Sequence, residues 1–292
     1  MLRSAAIVIT MLLVSAPQLC AQAMTDGHGF LADFEAPAPY SIVNSTDDDY
    51  APSFDATRGR LFFTSERTGT AQQWVVSKDT TVRMCTGTFN EEGRQRAFVS
   101  FGAGDEVVGV AYVNYERQSY PTIVSVPLDN SSLNIGHPIP SLQGEYFTSQ
   151  PALSPDGTKL VVVSNRPGGE GGLDLWVCDR LTNNEWSEPV LLSTNVNSSG
   201  DEITPTFISA DSLVYASNGY GGKGGFDLFL VIHQDGAWQE PEPLVFFNSE
   251  FDESDLTVLD DWTVVFASDR PGGLGGMDLW ISRRRQSIGA SR

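Results

Sequence analysis

Three segments of the chain repeat one pattern: Ser164-Asn-Arg-Pro-Gly-Gly-Glu-Gly-Gly-Leu-Asp-Leu-Trp176, Ser217-Asn-Gly-Tyr-Gly-Gly-Lys-Gly-Gly-Phe-Asp-Leu-Phe229 and Ser268-Asp-Arg-Pro-Gly-Gly-Leu-Gly-Gly-Met-Asp-Leu-Trp280. Their closing aromatics stand 53 and 51 residues apart. The flanks recur with them, Trp-x-Glu-Pro at Trp186 and Trp238 and an acidic pair at Asp201-Glu202 and Asp252-Glu253. A fixed period of about 50 residues means one supersecondary unit stacked on copies of itself, since a single unit cannot bury its own apolar face.

Each unit reads as four strands. In the best-defined one, Ser149 to Ser154 is followed by a Pro155-Asp156-Gly157 turn and Leu160 to Ser164. The glycine-rich loop leads into Leu173 to Cys178, and a turn at Thr182 to Glu185 leads into Trp186 to Leu192. Short β-rich runs between Gly, Pro, Asn and Asp clusters are strand-and-hairpin signals. No amphipathic helical stretch competes with them. Four-stranded units of this period predict an all-β chain, a β-propeller. Two degraded units precede the three clear ones, Leu61 to Trp74 and Val107 to Val126. Five blades are therefore expected between residues 36 and 285. A six-bladed ring, the alternative, needs about 45 further residues. Tyr40 to Val43 resembles an outer strand and the last unit ends on its third, so an N-terminal outer strand is expected to close the ring and cover the seam edge.

Leu153-Ser-Pro-Asp-Gly-Thr-Lys-Leu160, with the Ser-Asn-Arg and Asp-Leu-Trp that follow, resembles the PD40 or TolB-like propeller repeat. The match is specific over about 145–282. It implies an exported propeller acting through protein contacts in the cell envelope, without catalysis. The family's namesake is similar to a six-bladed propeller with a separate N-terminal domain, so five blades would be a departure.

The repeated residues read as scaffolding. Asp174, Asp227 and Asp278 each follow a Gly-Gly pair by two positions, where a carboxylate can accept bonds from loop N–H groups. The glycines would supply positive φ, and Arg166 and Arg270 would pair with neighbouring acids. Trp176, Phe229 and Trp280 suit packing between blades. No cofactor is expected; calcium held by these Asp side chains and backbone carbonyls is the alternative, with no ladder of alternating acidic ligands beside it. Gly219 to Gly224 matches the dinucleotide fingerprint in letters only, because a strand pattern rather than a helix follows it. His28, His137 and His233 stand alone, without metal-ligand spacing.

Charge and cysteine content bound the function further. With 18 Lys+Arg against 37 Asp+Glu the formal charge is −19, which excludes nucleic acid or an anionic membrane as the main partner. Arg3, the apolar run Ala5 to Val14 and Ala21-Gln22-Ala23 read as a signal peptide over residues 1–23. A lead segment (24–35), the propeller (36–285) and a tail (286–292) follow, in a monomer of the periplasm or exterior. No later stretch approaches the roughly 18 apolar residues of a membrane helix. Cys85 and Cys178 are expected to be separate, half-buried thiols. The loop entering each blade carries acids: Asp48 and Asp49, Glu92, Glu145, Asp201 and Glu202, Asp252 and Glu253. Topology puts these loops on one face, so the expectation is an acidic rim attracting a basic segment of an envelope partner. The alternative function is a five-bladed glycoside hydrolase using two funnel carboxylates.

Overall fold

The computed structural model describes residues 34–285 apart from 78–79, 92, 116–117, 131 and 260–262. The expected signal peptide, most of the lead segment, the tail and Glu92 lie outside the described residues. Five small antiparallel sheets form a five-bladed β-propeller. From the axis outward, blade one is Asp49–Asp55, Arg60–Ser65, Gln72–Val76 and Val82–Met84. Blade two is Arg96–Phe101, Val107–Tyr115 and Gln118–Ser125, its outer position held by a bridge between Val124 and Pro138. Blade three is Thr148–Leu153, Lys159–Ser164, Asp174–Asp179 and Val190–Leu191. Blade four is Glu202–Ser209, Ser212–Ser217, Asp227–Gln234 and Glu242–Pro243, with Ala237–Trp238 as a further pairing on its third strand. Blade five is Glu253–Val258, Thr263–Ser268 and Asp278–Arg283, completed by Ala38–Pro39 from the N-terminal end.

The ring thus closes with an N-terminal outer strand, but two residues earlier than Tyr40 to Val43. Ala38 pairs with Ile281 and Pro39 with Trp280. Tyr40 still donates its N–H to Leu279 O at 2.8 Å, and the chain then turns through Val43 N–H to Tyr40 O at 2.9 Å. The turn is needed because Asn44 must face the strand it has just left. Its Oδ1 accepts from Leu279 N–H (3.0 Å) and its Nδ2 donates to Leu279 O (2.9 Å). Asn197 holds Leu175 in this two-way grip, Asn248 holds Leu228 and Asn90 holds Gln73. Each grip satisfies a third-strand N–H that the short outer strand leaves unpaired, and adds a second donor to a C=O that the outer segment already bonds.

Strand alternation sends successive side chains to opposite faces, and here both faces meet another blade. Leu160 and Val162 pack towards blade two with Trp176, while Val161 and Val163 pack towards blade four with Phe229. Trp280 belongs to the cluster between blades four and five, with Phe247 and Phe266. Five such apolar clusters fill the five blade interfaces. Cys85 and Cys178 are free, fully buried rather than half-buried, and lie in different clusters. Burial raises both thiol pKa values, that of Cys178 to about 12, which leaves them unreactive.

Replacing Asn248 with Ala strands the buried N–H of Leu228, whose C=O keeps the Leu244 N–H as a donor (2.8 Å). One such orphan costs about 1–3 kcal/mol, so the variant is expected to lose about that much unfolding free energy in urea. A loss within 0.5 kcal/mol, roughly that of a neutral surface substitution, would show that the grip is dispensable.

Candidate functional site

The glycine-rich loops and the loops entering each blade share one face, and the repeat motif dictates how they interlock. Asp174 accepts from Glu170 N–H (2.9 Å) and Gly171 N–H (3.2 Å). Asp227 does the same with Lys223 and Gly224, and Asp278 with Leu274 and Gly275. Positive φ explains only one glycine per loop: Gly168, Gly221 and Gly272. The others are demanded by close approach, which corrects the sequence expectation. A Cβ on Gly171 would lie 2.0 Å from Gly200 O, and one on Gly169 would lie 2.0 Å from the Asp174 carboxylate.

The predicted rim acids divide into distinct groups. Asp48, Asp201 and Asp252 are half-buried, and each turns Oδ1 onto a backbone N–H of the preceding blade's loop: Met277, Leu173 and Phe226, at 2.8 to 2.9 Å. Glu145 is exposed. Asp49, Glu202 and Glu253 are fully buried and do not belong to an exposed rim. They stand first in their inner strands, where the side chain points into the blade and bonds the serine four residues earlier. Ser198 N–H and Oγ–H both reach Glu202, and Ser217 Oγ–H reaches it at 2.7 Å. Arg67 ion-pairs with Asp49 (2.7 Å) and Arg270 with Glu253 (2.8 Å). Arg166 makes no ion pair with a described residue, contrary to expectation, because its blade carries Thr148 where the acid would be.

At the axis, every inner strand carries one left-handed residue: Ala51, Phe98, Gln150, Thr204 and Asp255, with φ of 50 to 54°. Each sits at a break in strand register. Such backbone costs about 1–3 kcal/mol per residue and persists because neighbouring blades hold it. Thr204 N–H donates to Gln150 Oε1 (2.9 Å), and Asp255 N–H donates to Thr204 Oγ1 (3.1 Å). Ala51 N–H in turn donates to the Asp255 carboxylate. This belt joins blades three, four, five and one across the seam. Sequence reasoning missed it, although a proline recurs three positions after the strand's first residue, at Pro52, Pro151 and Pro205. The pocket inside the belt has a volume of about 40 Å³, and Asp255 is the one carboxylate among its lining residues. Small-molecule sites run to roughly 300–1,000 Å³.

Burial raises the Asp255 carboxyl to about 6, against the lowering influence of Ser254 and Ala51. A pKa raised on folding gives stability that is present below the unfolded value and lost as pH climbs through 6. Asp255→Asn is therefore expected to be more stable than the parent at pH 8 by up to about 3 kcal/mol and to lose the advantage at pH 4. Urea unfolding at both values measures it, and a pH-independent difference would contradict it.

No protein-family model matches the chain, and no curated protein matches it in sequence. Solved structures match its fold. TolB from Acinetobacter baumannii is similar over 91% of this chain and 68% of its own, at 14% identity and a TM-score of 0.53. An alpha-L-arabinofuranosidase from Lactobacillus brevis aligns over 85% of this chain and 92% of its own, at 9% identity and a TM-score of 0.53. An endo-arabinase from Bacteroides thetaiotaomicron aligns over 87% and 99%, at 13% identity and a TM-score of 0.50. At such identities the likeness is one of fold. No helix among the described residues is long and apolar enough to cross a membrane.

Proposed function

We propose that the chain is an exported, non-enzymatic scaffold that binds an envelope protein on its glycine-loop face. The carrying observation is the allocation of its acids. Asp174, Asp227 and Asp278 hold their own loops, Asp49, Glu202 and Glu253 are internal, and the axial pocket of about 40 Å³ is lined by one carboxylate. A glycosidase funnel would call for two carboxylates roughly 5–10 Å apart. Recognition then falls to the surface of this face. There Asp48 and Asp252 commit only one carboxylate oxygen, and Glu145, Asp47 and Tyr146 are exposed. Such a rim favours a partner segment carrying positive charge.

The rim aspartates also cap backbone, so asparagine is the informative replacement: it keeps an acceptor and removes the charge. The triple variant Asp48→Asn, Asp201→Asn, Asp252→Asn is expected to capture less partner from envelope extract at low salt, with little change in melting temperature. Unchanged capture would overturn the rim as the docking surface. Glycoside turnover by the purified protein, lost in Asp255→Asn, would overturn the scaffold reading itself.

A further inference from the structure

Blades one and five hold a carboxylate in cradles built alike. In blade one, Asp49 Oδ2 accepts from Ser45 N–H (2.5 Å) and Oγ–H (2.8 Å), and Oδ1 accepts from Arg67 Nη2 (2.7 Å). Arg67 Nε donates to Ser65 Oγ (2.7 Å), and the guanidinium lies 4.5 Å from the Trp74 ring centroid. In blade five, Glu253 accepts from Ser249 N–H (2.6 Å), Ser249 Oγ–H (2.6 Å), Ser268 Oγ–H (2.9 Å) and Arg270 Nη2 (2.8 Å). Arg270 Nε donates to Ser268 Oγ (3.0 Å), and the guanidinium lies 5.2 Å from Trp280.

Blade three keeps the arginine of this cradle and the serine beneath it, although Ser164 Oγ–H donates to Phe147 O (2.7 Å). Arg166 stands two residues after Ser164, as Arg67 and Arg270 stand after Ser65 and Ser268. Its Nε donates to Ser164 Oγ (3.2 Å), and its guanidinium lies 5.3 Å from Trp176. The residue paired with Ser164, where the sisters have Asp49 and Glu253, is Thr148. Nη2 reaches only its hydroxyl oxygen, at 3.4 Å. The position of Ser45 and Ser249 is taken by Gly144, which is exposed; a Cβ there would meet the Tyr146 ring at 3.8 Å. Arg166 is half-buried, and burial lowers its pKa; Glu188 acts on it through space without an ion pair. A half-desolvated guanidinium on an aromatic face is suited to bind a planar carboxylate.

We propose that this cradle on blade three binds a carboxylate supplied by a ligand, with Arg166 as the fork, Gly144 N–H as a second donor, and Thr148 Oγ–H turning to it from Ser164 Oγ (3.2 Å). The carboxylate belongs to a peptide or to a small organic acid. The site stands independently of the scaffold reading, because it uses none of the rim aspartates tested above.

The test is an NMR titration that follows the Arg166 Nε–H and Gly144 amide signals. Acetate is expected to shift both in a saturable way, and acetamide is not. Peptides with free and amidated C-termini form the second arm. A free-terminus peptide binding at least tenfold more tightly than acetate assigns the ligand to a protein; equal affinity assigns it to a small acid. Arg166→Gln should weaken binding about ten- to a hundredfold. Thr148→Glu restores the acid of blade five, fills the cradle from within, raises the melting temperature and abolishes the response. The proposal is overturned if neither signal responds to acetate or peptide, or if the Gly144 response in Arg166→Gln keeps the affinity of the parent.

Discussion

Blades one, three, four and five of this propeller each depend on the loop that leads into the next. A third strand paired with an outer strand of only two or three residues leaves backbone groups that burial would orphan. The following loop supplies them: Asn44, Asn90, Asn197 and Asn248 grip one residue each. Asp48, Asp201 and Asp252 cap the glycine loops nearby. Gly171, Gly224 and Gly275 are a consequence of this contact, since a Cβ on each would lie 1.8 to 2.4 Å from a carbonyl oxygen of the next loop. The face so formed carries both the three capping aspartates and Arg166.

Identical backbone does not impose identical electrostatics. Blades one and five keep the acid and the arginine; blade four keeps Glu202 but has Gly219 where the arginine would be, and burial raises the Glu202 carboxyl. Blade three keeps the arginine alone. Blade two puts Arg96 at the register position of the acid, buried and with its pKa lowered by desolvation. An unpaired buried charge costs stability where a paired one breaks roughly even. The three middle blades therefore depart from the repeat in the feature that carries charge, and their departures all differ.

Much of the architecture was legible because it is periodic. The repeat spacing gave five blades, and strand-and-turn chemistry placed the strands of blade three within a residue or two, apart from a shorter outer strand at Val190–Leu191. The closing strand was misplaced by two residues because Tyr40 to Val43 has the apolar look of a strand while serving as the turn that presents Asn44. The acids of the inter-blade loops were harder to read. Asp48 and Asp49 are neighbours, yet one caps a loop at the surface and the other is buried in an ion pair. Adjacent residues entering a strand point to opposite sides, so an acidic pair splits into two roles once the strand's first residue is known.

Chain order was enough to establish the blade count, the all-β class and which residues recur, because those follow from period and composition. It could not say which recurring residues are used up internally, since that depends on distances across blade boundaries. The belt from Gln150 through Thr204 and Asp255 to Ala51 joins residues 54, 51 and 204 positions apart. It exists only once the ring has closed on the axis. Arg166 is likewise ordinary as a letter in a repeated motif. Its distinction comes from lying across the ladder from Thr148, where the sister strands carry an acid.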